Sequence, residues 1–316
     1  MRRFGDILRN FNKIDSILAE PNLKKYRRQS IRLILAVYCL FTSVMIFDIF
    51  YWTRSSCPGG KSGSHYILDY CGFYFLYYIM ITLELYFSHL VYSIHMKLFL
   101  INEYLVISDL RNNLKNNIIM VNSQIDNFHL ESLWHRQHQD SKIFFKIRMP
   151  ESSFTNAQRI KILRKLHKLL NYGVDIINGT IANGIMLIML SCLVHLIVTP
   201  YFLVAELIKE KSNILFIFLQ IFWIITHTCR LLIIVEPCQA CSLEGQRTNM
   251  LLCDLLLLNN TDDEFEKAVK SFSLYLSQNH IRFSCSGLFT IDRSLITSIA
   301  GSVTTYIVIL FQFNNN

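Results

Sequence analysis

A chain of 316 residues that is 52% apolar, 13% aromatic and only 17% charged is too oily for an ordinary soluble domain, where about 25% of residues are charged. With a mean hydropathy of +0.32, it reads as an all-α integral membrane protein, a bundle of about five transmembrane helices whose cytoplasmic helical extensions form an anchor layer. The formal charge of +8 is assigned to orientation and attraction to an anionic inner leaflet; the expected partner is the lipid bilayer and no nucleic acid.

A bilayer core needs about 20 helical residues, and five stretches supply them: 31–52, 68–93, 179–204, 213–236 and 294–313. Residues 1–30 form a cytoplasmic N-terminal segment. Residues 31–237 hold the first four spans with their extensions, 238–293 the cytoplasmic anchor helices, and 294–316 the last helix and its tail. No cleavable signal peptide is expected, because a mostly polar segment precedes the first apolar run. Orientation follows from the basic residues. Arg2, Arg3, Arg9, Lys13, Lys24, Lys25, Arg27, Arg28 and Arg32 lie at or before the first span, twelve more run from Lys97 to Lys168, and five fall between Arg247 and Arg293. The two alternate loops hold only Arg54 with Lys61 and Lys209 with Lys211. The positive-inside rule then places the N-terminus in the cytoplasm and the C-terminus outside. Arg230, inside the fourth span, is expected to snorkel at its cytoplasmic end.

Beyond the spans the pattern stays helical. Leu98, Ile101, Leu105 and Leu110 keep one face, so the second span is predicted to run on as a long helix. Ile160, Leu163, Leu166, Leu170 and Val174 form a stripe entering the third span, whereas 120–155 reads as a connector. Asp262 and Asp263 mark a helix start, with acids suited to the positive end of its dipole.

Enzyme chemistry finds no support. Cys238-Gln-Ala-Cys241 is a lone CxxC without a second pair, His135 and His138 sit in the connector, and neither a phosphate loop nor HExxH occurs. No metal and no cofactor are expected. The nine cysteines make no disulfide framework, with Cys57 and Cys71 the one pair on the outer side that could bridge. The sequons at Asn178 and Asn259 fall on the cytoplasmic side and are expected to stay unmodified.

In this topology the outer halves of the spans carry Phe47, Tyr51 and Trp52, then Tyr70, Tyr74, Tyr77 and Tyr78, then His195, Thr199 and Tyr201, then Phe216, Gln220 and Trp223. An aromatic pocket with a few polar handles suits a small organic ligand, and Tyr70, Tyr74, Tyr77, Trp52, His195, Gln220 and Trp223 are its candidate contacts. An interfacial aromatic belt or plain packing explains the same tyrosine stripe. Glu84 is the intramembrane charge, neutral or paired with a Tyr or His of a neighbouring helix. His227 is expected to be a hydrogen-bonded packing residue.

The last span carries a small and polar stripe: Ser294, Ser298, Gly301, Thr305, Val308 and Gln312 recur at spacings of three and four. Such a face is either a close-packing interface or the wall of a water-filled path, with Val308 as a constriction and Gln312 near the mouth. Gln312 in particular needs a partner, since an unpaired amide in hydrocarbon costs several kcal/mol, roughly.

The terminal stretch Thr305-Tyr306, five apolar residues, Gln312-Phe313 resembles the C-terminal signature of insect gustatory receptors. Gly287, Phe289, Asp292, Arg293 and Leu295 before it, and His167, Leu170 and Asn178 at the entry to the third span here, are similar to that family's pattern too. The match covers most of 155–313 and, more loosely, 66–110. It implies seven spans, a plasma-membrane location, and homo- or heterotetrameric ligand-gated cation channels with the last helix lining the pore. It also implies Gln312 and Phe313 as gate residues and a small-molecule tastant as ligand. Only five spans are present, and the pattern of matches suggests that the family's first two are missing. A non-conducting partner subunit or a truncated, non-functional member are the alternatives within the family. A G-protein-coupled receptor is a further one, against the charge distribution because its N-terminus would lie outside.

Overall fold

The structure, a computed structural model, describes residues 23–55, 63–121, 155–257, 263–285 and 287–314. Helix α1 (Leu23–Ser55) is followed by α2 (Gly63–Val121), α3 (Asn156–Thr180), α4 (Ala182–Leu207), α5 (Ile214–Leu257) and α6 (Asp263–Gln278). A two-stranded antiparallel hairpin, β1 (Ser284–Cys285) and β2 (Phe289–Thr290), leads into α7 (Arg293–Asn314). Within the described residues, helices at Ile31–Arg54, Tyr70–Val106, Ala182–Leu207, Ile214–Leu257 and Arg293–Leu310 are long and apolar enough to cross a membrane. These are the five stretches that hydropathy marks. Most of the connector at 120–155, with His135 and His138, lies outside the described residues, as do Cys57 and Asn259.

Two compact units are built from this chain, and α1, α2, α3 and α5 contribute to both. One comprises Met1–Tyr26, Ile94–Ile176 and Ser242–Ile281. Its core is the predicted stripe: Leu98, Ile101 and Leu105 from α2 and Ile160, Leu163, Leu166, Leu170 and Val174 from α3 are all buried. Each such side chain contributes on the order of 1.5–3 kcal/mol when fully withdrawn from water. Helix α6 presents Phe265, Ala268, Val269, Phe272 and Leu276, a helical repeat of apolar residues, to the inside. It starts with Asp263, Glu264 and Glu266, acids that complement the helix dipole. Lys161 bonds Glu264 at 2.7 Å and Arg164 donates to Ser271 at 2.5 Å, so α3 and α6 lie side by side. Helix α3 opens with a reciprocal cap, in which the Gln158 N–H donates to Thr155 Oγ1 and the Thr155 N–H to Gln158 Oε1.

His167 lies at the centre of this unit, edge-on to Phe272 and Tyr275 at 5.8 and 5.9 Å, with no hydrogen-bond partner for either ring nitrogen among the described residues. Burial pushes its pKa down to about 4, so the ring is neutral at physiological pH. A folded-state pKa below the unfolded value near 6.5 means the unfolded chain takes up the proton first, and stability is lost as pH falls from about 6.5 towards 4. The purified chain in detergent is expected to lose about 1 kcal/mol between pH 7.5 and 5.5 through this residue. His167→Leu should melt less steeply with acid over that range; identical pH dependence in the two proteins would show that His167 is not the cause.

The second unit comprises Arg27–Ser93, Ile177–Cys241 and Arg282–Asn316. Helix α1 buries Phe41, Val44, Met45 and Asp48, one face at helical spacing, against Tyr74, Tyr77, Ile81 and Leu85 of α2. Hydroxyls tie the same pair of helices: Tyr78 donates to Thr42 at 3.0 Å and Tyr38 bonds Thr82 at 2.8 Å. The opposite faces expose Ile46, Phe50, Phe73, Phe75 and Leu76, as lipid-facing surfaces do. Between α4 and α5 the Glu206 carboxylate accepts from Lys209 at 2.6 Å and from the Asn213 N–H at 2.8 Å. Asn213 Oδ1 in turn caps the first N–H groups of α5.

Candidate functional site

Four of the seven predicted ligand contacts converge inside the second unit, and residues not among the candidates complete the cluster. Asp48 of α1 accepts the Tyr74 hydroxyl at 2.6 Å and the Trp223 indole N–H at 3.2 Å. Trp223 stacks on His227 one turn further along α5, at 5.4 Å and 19° between planes. His227 stacks on His195 of α4 at 4.3 Å, and Tyr77 closes the circle with a 2.6 Å bond to His195 Nε2. Tyr70 and Trp52 are instead exposed, at 46% and 37%. Trp52 packs edge-on against Tyr51, whereas Gln220 is buried on α5, one turn before Trp223.

Proton positions follow from the partners. His195 Nδ1 lies 2.8 Å from the Ser191 carbonyl, which only accepts, so the neutral ring carries its proton there and Nε2 accepts from Tyr77. His227 Nδ1 faces Arg230 Nη1 at 3.3 Å. A guanidinium only donates, so Nδ1 is the acceptor and the proton sits on Nε2. That Nε2–H is fully buried and has no partner among the described residues.

Beside the histidines lies a buried ion pair. Arg230 donates to Glu84 through Nε at 2.9 and 3.2 Å and through Nη2 at 2.5 Å, with the two residues 2% and 1% exposed. The guanidinium also covers the Tyr77 ring at 5.6 Å. This corrects two expectations. Arg230 does not snorkel outward, because a carboxylate at its own depth satisfies it better than a stretched side chain reaching for the surface. The partner of Glu84 is this arginine rather than a Tyr or His. His227, expected to be a packing residue, is hydrogen-bonded and stacked but keeps one donor free.

Along α7, Ser298, Gly301, Thr305, Val308 and Gln312 are all exposed. The Ser298 and Thr305 hydroxyls are occupied by carbonyls one turn back, at 3.0 and 2.9 Å. The small and polar stripe is therefore left open on a helix that itself packs on α4. Tyr306 is also exposed, and the side chain of Phe313 lies outside the described residues.

The start of α7 is built by the hairpin. Gly287, at φ 74, takes the left-handed conformation that a side chain would strain. Asn178 uses both ends of its amide on this segment, donating to the Arg282 carbonyl at 3.0 Å and accepting the Ser284 N–H at 3.2 Å. Asp292 accepts from the Ser294 N–H at 3.0 Å, from the Ser294 hydroxyl and from Thr290 Oγ1 at 2.8 Å. Hydrogen bonds from Ser294 and Thr290 hold its carboxyl below the usual carboxylate range. Cys238, Cys241 and Cys285 are buried. Burial pushes the Cys285 thiol up to about 11, so it stays protonated near neutral pH.

Among the described residues, five helices of membrane-spanning length around an aromatic and polar cluster mark an integral membrane protein. The chain belongs to the 7tm chemosensory receptor family, whose family model matches residues 1–315; this is a family of receptors, not of enzymes. It is similar to the gustatory receptor for sugar taste 43a of Drosophila melanogaster, at 28% identity over 96% of this chain and 73% of that receptor. It is also similar to gustatory receptor 68a of the same species, at 27% identity over 30% of this chain and 24% of that receptor. Among solved structures, the insect olfactory receptor OR5 of Machilis hrabei shares the fold. The TM-score is 0.58 at 12% identity, over 96% of this chain and 74% of that one.

Proposed function

We propose that the chain is a gustatory receptor subunit of the plasma membrane, a ligand-gated, non-selective cation channel opened by a small organic tastant. Its N-terminus is inside, its C-terminus outside, and it works as a homo- or heterotetramer with α7 lining a shared pore. Gln312 and Phe313 form the gate, joined along the wall by Val308, Thr305, Gly301 and Ser298. Four Gln312 amides around one axis would satisfy each other or pore water, the partner that this residue needs if it lies in the membrane.

The observation that carries the ligand assignment is the buried His227 Nε2–H at the centre of the Trp223, His195 and Tyr77 rings. An unpaired buried donor costs about 1–3 kcal/mol, and a ligand acceptor such as a hydroxyl or carbonyl oxygen recovers it. Because Glu84 neutralises Arg230 and Asp48 is already met by two donors, the cluster has no spare positive charge for an anion. An uncharged, hydroxyl-rich ligand fits best, and sugars come first because the 43a relative is named for sugar taste.

Whole-cell recording from cells expressing the chain, with surface expression confirmed, tests this against D-fructose, sucrose and a bitter panel. A cation current evoked by sugar is the expected result. Silence when expressed alone, with altered currents alongside a second gustatory receptor, would make it a partner subunit. Surface-expressed protein that is silent in both settings would refute the channel reading.

A further inference from the structure

Helix α5 carries Trp223, His227 and Arg230 of the cluster and, about 20 Å further along its axis from Trp223 at 1.5 Å per residue, Glu236 and Gln239. These two residues hold the first residue of α7. Arg293 forks onto Glu236, Nε to Oε1 at 3.0 Å and Nη2 to Oε2 at 2.7 Å, and its backbone N–H donates to Gln239 Oε1 at 3.3 Å. Between the two anchors sits Pro237, within the helix. It has no N–H to give to the carbonyl one turn back, so the helix is weakest where α7 is attached.

We propose that Glu236 is a positioning residue that conveys displacement of α5 at the aromatic cluster to the start of α7, with the Arg293 fork as the link and Pro237 as the joint. The fork lies at the surface, with side chains 65% and 43% exposed, and exposed pairs of this kind add little to stability. Two parallel hydrogen bonds do fix direction and distance. The hairpin, the Asp292 cap and the packing of α7 on α4 are its other attachments, so breaking the fork frees one side of the helix start while these stay in place. The physiological meaning of this link, gating, rests on the channel reading above, but the link itself is measurable without a current.

The test is the rate at which a water-soluble maleimide labels a cysteine at the exposed Thr297 position (Thr297→Cys). The full chain is purified in detergent and labelling is read by peptide mass spectrometry, so that native thiols do not confuse the signal. The perturbation is Asp48→Asn, with Trp223→Phe as a second form that removes the indole N–H and thins the ring stacked on His227. Each is measured with Glu236 intact and with Glu236→Gln. We expect either perturbation to change the rate about threefold or more when the fork is present and not when it is broken. The charge exchange Glu236→Arg with Arg293→Glu should restore transmission, whereas a merely structural role would shift the rate additively and by the same factor in every background. Equal effects with and without the fork, no effect in either, or failure of the exchange to restore it would overturn the proposal. Absence of ligand-evoked current would sink the channel reading alone and leave this result standing.

Discussion

Arg230→Met is expected to leave little folded protein at the cell surface. The substitution strands Glu84, 1% exposed, without the guanidinium that donates three hydrogen bonds to it. Breaking a buried pair by removing one partner costs about 3–5 kcal/mol, a large part of the roughly 5–15 kcal/mol that holds a typical domain together. The same change uncovers the Tyr77 ring and takes the donor away from His227 Nδ1. Glu84→Gln combined with Arg230→Met removes both charges and should recover much of the surface expression, because the pair's desolvation cost disappears with it. Surface biotinylation and detergent melting of the wild type and the two variants check this. Equal loss in single and double variants would show that the volume of Arg230 matters and its charge does not.

The second large effect is expected at Gln312. Its side chain is exposed on α7, so Gln312→Ala should leave folding and surface expression unchanged. If four copies meet at this position, as proposed, each loses a hydrogen bond worth about 0.5–1.5 kcal/mol. A shift of about 1.4 kcal/mol is tenfold in an equilibrium. The ligand-free current, or the permeability ratio of sodium to N-methyl-D-glucamine, is therefore expected to change by about tenfold. Unaltered leak and selectivity in channels that reach the surface would remove Gln312 from the gate.

Much of the fold was legible because it depends on properties that neighbouring residues share. A run such as Ile31–Arg54 is apolar in every turn, and lipid enforces helix on any such run by leaving the backbone no other partner. The stripe Ile160, Leu163, Leu166, Leu170 and Val174 was legible for the same reason, since spacing alone puts these residues on one face. The terminal Thr305-Tyr306 to Gln312-Phe313 pattern was enough to suggest the family that the full-length match then showed.

The site was only half legible. Tyr74 and Tyr77 turned inward while Tyr70, one turn before them on the same stripe, stayed outside, because the inner face of α2 is set by how α1 and α5 press against it. No local pattern joins Glu84 to Arg230, 146 residues apart, or Arg293 to Glu236, 57 apart. A sequence rule that searched for a second charge at matching membrane depth would have found the first pair. The free donor of His227 is beyond any such rule, since it arises only when Arg230 has taken the other nitrogen.

By itself, then, the sequence determined the number and extent of the membrane-length helices, their amphipathic continuations and the family, all of them consequences of composition and period along one dimension. Tertiary structure alone decided which buried charge meets which, which histidine nitrogen is left open and what grips the start of α7. Those outcomes depend on the rotation of each helix about its axis and its height against its neighbours. Many packed side chains fix both together, and no stretch of sequence records either.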